Sequence, residues 1–175
     1  MLVCRIVRPY YNFFKREKSI SSKSDFRERS LYKYFVDFQT RWRDNDIYGH
    51  VNNVVYGEWI DSIVNKYLIE KCSLEPLASP LIGFVVSSHC EYYSPVSYPS
   101  KISAGLFVKR IGKSSVDYSV GIFENSQAEK ASAVGGFTHV FVDRINRRPE
   151  TLNDEMKKQL LSISNIIDSK LDDLL

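Results

Sequence analysis

The stretch R43-D44-N45-D46-I47-Y48-G49-H50-V51-N52-N53 crowds Asp44, Asn45, Asp46, Gly49, His50, Asn52 and Asn53 into one short run. An apolar pattern begins directly after it. Val55, Trp59, Ile63 and Tyr67 step by four, and so do Tyr56, Ile60, Val64 and Leu68. Two such rows side by side predict an amphipathic helix from Val54 to Cys72, roughly five turns long. Glu58, Asp61, Asn65, Lys66 and Glu70 fall largely on its other face. Ahead of the run, residues 33–43 (KYFVDFQTRWR) are rich in aromatics and β-formers and predict a strand. The polar run therefore occupies a strand-to-helix junction.

That position has chemical consequences. The first N–H groups of a helix lack intrahelical partners, and Asn52 is placed to cap them. The remaining amides and the helix dipole favour a negative oxygen. Gly49 permits a tight turn or the close approach of a ligand. Asp46 and His50 stand beside this anion-seeking end. A carboxylate next to preorganised amides is a set suited to acyl transfer. Each piece alone also has an ordinary explanation, since Asp and Asn before a helix commonly serve as caps and turn formers. Asp44 is read as a cap, or as a surface partner of Arg41 or Arg43 worth little.

Beyond the helix, Pro76 and Pro80 mark a loop and the period changes to two. Strands are predicted over 81–93, 101–110, 115–123 and 130–142, with turn signals at S94-P95, I111-G112-K113 and E124-N125-S126-Q127. The short connections imply antiparallel neighbours. R147-R148-P149 ends the last strand. A short helix over Leu152–Leu161, capped by Thr151 or Asn153, completes the pattern. One long helix cannot serve four consecutive strands as βαβ crossovers. The expected fold class is α+β, an antiparallel β-sheet wrapped around one long central α-helix.

Composition sets the outer bounds. The chain has 175 residues, 43% hydrophobic and 13% aromatic, enough for one ordinary core. A formal charge of +3 is too small to argue for nucleic acid. Cys4, Cys72 and Cys90 are odd in number and far apart, so neither a disulfide framework nor metal spacing is expected, and no cofactor is implied. Cys72 and Cys90 are expected in the core. His89 and His139, both in strands, are expected as satisfied sheet histidines. Lys109, Arg110 and Lys113 form a basic cluster that a solvated turn explains. No apolar run approaches the ~20 residues of a membrane span.

Residues 1–30 carry Arg5, Arg8, Lys15 and Arg16 among Leu2, Val3, Ile6, Val7, Phe13 and Phe14, with serines after them. Such a segment is either a mitochondrial-type transit peptide or a disordered basic arm. The domain proper is set at 31–150, with 151–175 as a helical tail.

The run from Arg43 to Asn53, with Tyr56 beyond it, resembles the D-x-D-x-x-G-H-V-N-N-x-x-Y signature of hotdog-fold thioesterases of the 4-hydroxybenzoyl-CoA thioesterase type. The match is ungapped, and the resemblance covers about 33–150. It implies a hotdog fold and hydrolysis of an acyl-CoA thioester to free acid and CoA. It implies that Asp46 is the nucleophile or general base, and that a backbone amide near Asn53 holds the thioester oxygen. Asp44 is implied to be structural. The run W42-R43-D44-N45-D46…H50-V51-N52-N53 is also similar to plant acyl-ACP thioesterases, where a histidine at the place of His50 is linked to catalysis. Those enzymes have asparagine where this chain has Tyr48. Glu58 is a competing carboxylate of lower rank, because another branch of the fold carries its acid on the central helix. Gly49 and Asn53 are the expected oxyanion and substrate contacts. A homodimer or homotetramer is implied. An acyl-ACP thioesterase and a non-catalytic thioester-binding subunit are the competing readings.

Overall fold

The computed structural model describes residues 26–164. The basic N-terminal segment considered for targeting lies almost wholly outside them, as does the end of the helical tail. Strand β1 spans Tyr34–Gln39 and helix α1 spans Asn53–Cys72. Strands β2 (Leu81–Tyr92), β3 (Lys101–Ile111), β4 (Ser115–Phe123) and β5 (Ala133–Asp143) come next, then helix α2 (Asp154–Ser162). The strands form one antiparallel sheet in the order β1-β3-β4-β5-β2, so β1 and β2 are its edges.

The sheet curls around α1 as the alternation requires. Ile102, Ala104, Leu106 and Val108 from β3 and Val116, Tyr118, Val120 and Ile122 from β4 point at the helix and are buried. The two rows of α1 meet them, and Ile63 and Val64 are fully enclosed. Truncating such a residue to alanine costs about 2–5 kcal/mol. Tyr34 and Phe38 of β1 pack against Tyr67 and Trp59. Gly135 lets the helix come close: a Cβ there would lie 2.6 Å from Ile60 Cδ1 and 2.8 Å from the His89 carbonyl oxygen. Helix α2 buries Met156 and Leu160 and is capped by Asn153, whose side chain accepts from the Met156 N–H.

A second apolar cluster lies on the opposite face of the sheet. Tyr32 meets Phe107 and Phe123 edge-on. Its hydroxyl donates to the Phe26 carbonyl at 2.6 Å, and the Arg29 guanidinium lies over the Phe35 and Phe123 rings.

Two expectations are corrected. The strand predicted over 33–43 stops at Gln39, and Trp42–Asp44 form a turn of 3-10 helix instead. The carboxylate of Asp44, accepting from the Arg41 backbone N–H, closes that turn. His139 is not a satisfied histidine: it is buried, and its Nδ1 has no hydrogen-bond partner among the described residues. Strand alternation aims it at the interior, where Phe137, Phe141 and Tyr118 surround it with rings.

Candidate active site

The junction is built from the bottom by Asp44. It is 3% exposed, not the surface partner expected. Its carboxylate accepts from the Arg41 backbone N–H at 2.7 Å and from Arg41 Nε at 2.9 Å, while its carbonyl accepts from the Asn52 N–H. The Arg41 guanidinium then reaches α1, meeting both Glu58 oxygens at 3.0 and 3.1 Å. Bonds to Asp44 first, then to Glu58, hold the Arg41 pKa above its ordinary value. Loop and helix are thereby joined at two points.

On this base residues 45–51 form a closed loop. The Asp46 N–H donates to the His50 carbonyl at 2.8 Å, and the Gly49 N–H returns to the Asp46 carbonyl at 3.2 Å. Gly49 has φ +82°, a left-handed conformation that a side chain would strain. The Asp46 carboxylate turns back over the loop. Its Oδ1 accepts from the Tyr48 N–H at 2.8 Å, with the His50 N–H aimed at it from 3.5 Å.

Helix α1 begins as expected. The Asn52 side chain accepts from the Val54 N–H, and the Asn52 carbonyl accepts from the Val55 N–H. Of the first three helix amides, that of Asn53 is the one not taken by Asn52.

A groove of about 440 Å³ opens here, lined by Asp46, Tyr48, His50, Val51, Asn53, Tyr56, Tyr92, Tyr93, Ser94 and Pro95. The fold thus brings Asp46, His50 and Asn53 to one surface. Gly49 shapes the loop without lining the groove. Glu58 also lies outside it, held by Arg41.

The far wall is not evident from the sequence. Tyr92 ends β2, and Tyr93, Ser94 and Pro95 begin the turn after it. The Y92-Y93-S94-P95 run carries the signal, an aromatic pair leaning on a loop, but nothing local says which loop it faces. The Tyr92 ring stands perpendicular to Tyr56 at 5.1 Å, and its hydroxyl donates to the Asn53 carbonyl at 3.3 Å. Burial first, then the neighbouring Cys90, pushes the Tyr92 phenol up to about 12. Burial also raises Tyr56. Tyr56 and Tyr92 are thus neutral, amphipathic phenols beside the groove.

A five-stranded antiparallel sheet curled around one long helix, with a polar groove at the helix N-terminus, is a hotdog fold of the kind thioesterases use. A family model described as the thioesterase-like superfamily matches residues 40–160. The chain belongs to that superfamily. The PA5185 protein of Pseudomonas aeruginosa strain PAO1 is 45% identical, with a TM-score of 0.75 over 79% of this chain and 96% of that one. A 1,4-dihydroxy-2-naphthoyl-CoA thioesterase from Synechocystis shares the fold at 12% identity, with a TM-score of 0.65 over 74% and 96% of the two chains. A thioesterase from Thermus thermophilus, complexed with coenzyme A and Zn, does so at 20% identity, with a TM-score of 0.60 over 74% and 98%. No curated protein matches. Membership of the thioesterase-like superfamily points to thioester hydrolysis, and the solved structures show the shared fold.

Proposed function

We propose that this protein hydrolyses an acyl-CoA thioester to a free acid and CoA. The observation that carries this reading is the Asp46 carboxylate, held by loop amides in a groove that also contains the first residue of α1. Asp46 accepts a proton from water as the water oxygen adds to the thioester carbonyl, or attacks that carbon itself, in which case water then hydrolyses the acyl–Asp46 anhydride to the free acid and restores the carboxylate. The developing oxyanion is met by the Asn53 N–H and the positive end of the helix dipole. The carbon–sulfur bond then breaks, and the CoA thiolate takes a proton. His50, whose exposed imidazole lines the same groove, is the second candidate for proton transfer. Tyr56 and Tyr92 offer aromatic surface to the acyl group.

The experiment is thiol release from short, long and aromatic acyl-CoAs. Turnover of one class supports the proposal and names the acid. Silence on every CoA ester, with release from acyl carrier protein, transfers the activity to that carrier. A chain that binds CoA and hydrolyses neither is a non-catalytic subunit.

We propose further that the protein acts as a homo-oligomer. Among the described residues strand β2 pairs on one side only, and along its open edge Phe84, Val85 and Val86 are 43, 49 and 60% exposed. A long apolar edge of this kind is a template for pairing with another strand. Sedimentation as a monomer at micromolar concentration contradicts this.

A further inference from the structure

We infer that Asn45 and Ser97 are positioning residues, which hold the Asp46 carboxylate for reaction by fixing the Gly49–His50 peptide. The inference rests on the thioesterase reading of this site. The Gly49 carbonyl accepts two side-chain hydrogen bonds, from Asn45 Nδ2 at 3.2 Å and from Ser97 Oγ at 2.9 Å. The other end of the Asn45 amide is also used, Oδ1 accepting from the Tyr98 N–H at 3.1 Å. A peptide unit is planar, so fixing its C=O fixes the N–H on the opposite side. That N–H belongs to His50 and points at Asp46 Oδ1.

Local sterics do not set this orientation. Gly49 has φ +82°, and no atom beyond its own chain neighbours lies within 4 Å of where its Cβ would be. The freedom of glycine is offset by the two side-chain bonds. Ser97 lies 48 positions away in sequence, on the segment whose Ser94 and Pro95 form the far wall of the groove. The Val51 N–H adds a bond to the Val96 carbonyl at 2.8 Å. The staple therefore keeps the carboxylate in register with the opposite wall. Neither Asn45 nor Ser97 lines the groove, so each acts through the loop and not on the substrate.

The test uses the full chain with Asn45→Ala, Ser97→Ala, the double variant and Ser97→Thr. Each alanine variant is expected to lower kcat on the order of tenfold, and the double more, with KM within about twofold. Ser97→Thr keeps the hydroxyl and restores kcat. An amide NMR titration gives a second readout that needs no turnover. In the wild type the His50 amide resonance follows the titration of the Asp46 carboxyl, and in the double variant it stops doing so while the Tyr48 amide still follows. Unchanged kcat in the double variant, equal impairment of Ser97→Thr and Ser97→Ala, or an unaltered His50 response overturns the inference. A wild type that hydrolyses no thioester sinks the functional reading instead, and the amide titration still decides the positioning.

Discussion

Arg41 and Glu58 meet across the junction, the guanidinium Nη2 lying 3.0 and 3.1 Å from the two carboxylate oxygens, while Nε of the same arginine holds buried Asp44. One side chain thus engages two of the three carboxylates around the junction, and only Asp46 is turned into the groove. The two engaged carboxylates should respond differently to substitution. Asp44→Ala removes the acceptor for the Arg41 backbone N–H and Nε, and a loss of about 1–3 kcal/mol is expected by urea unfolding. Glu58→Gln, on the exposed end, should leave both the unfolding midpoint and kcat nearly unchanged. A Glu58→Gln variant as inactive as Asp46→Asn would reassign the catalytic carboxylate.

Asn52 joins the loop to the helix. Its side chain caps the Val54 N–H, and its own N–H bonds the Asp44 carbonyl. Asn52→Ala is expected to cost about 1 kcal/mol, whereas Asn52→Asp, which keeps the acceptor, should cost less. Thermal unfolding of the pair against wild type checks this. An alanine variant as stable as the parent would mean that the cap contributes nothing.

His139 makes stability depend on pH. Burial pushes its imidazole down to about 4, against an ordinary value near 6.5. Between these two values the unfolded chain binds more protons than the folded one. Stability therefore falls as the pH drops from about 6.5 towards 4, and this contribution levels off below that. The total is roughly 3 kcal/mol if the full shift is expressed. His139→Leu should flatten that part of the profile. Denaturant unfolding of both proteins at pH 7, 5.5 and 4.5 measures it, and equal slopes would contradict the assignment.

The helix, its cap and the four later strands are legible in the sequence because their signals are local. The two rows of apolar residues in α1 and the alternation in β3 and β4 each reflect the face they bury. The polar run is legible for the same reason: Asn52, Gly49 and Asp46 all make their hydrogen bonds within a few residues of the helix start. Features set by pairing across distance stay hidden. Asp44 gives no sign of burial, because its partner Arg41 sits among charges that look solvated. His139 reads as a satisfied residue because a strand position says nothing about which rings will enclose it. Tyr92 and Ser97 reach the site only because β2 lies beside β5 and the loop after β2 returns to the junction. That arrangement depends on the strand order β1-β3-β4-β5-β2, which periodicity does not encode.

Whether the Asp46 carboxylate performs the chemistry is decided most directly by kcat/KM for Asp46→Asn beside wild type, on the acyl-CoA turned over fastest. The expected result is a fall of about 10²–10⁴-fold with the fold intact by circular dichroism. An Asp46→Asn variant that retains wild-type turnover would contradict the assignment of Asp46.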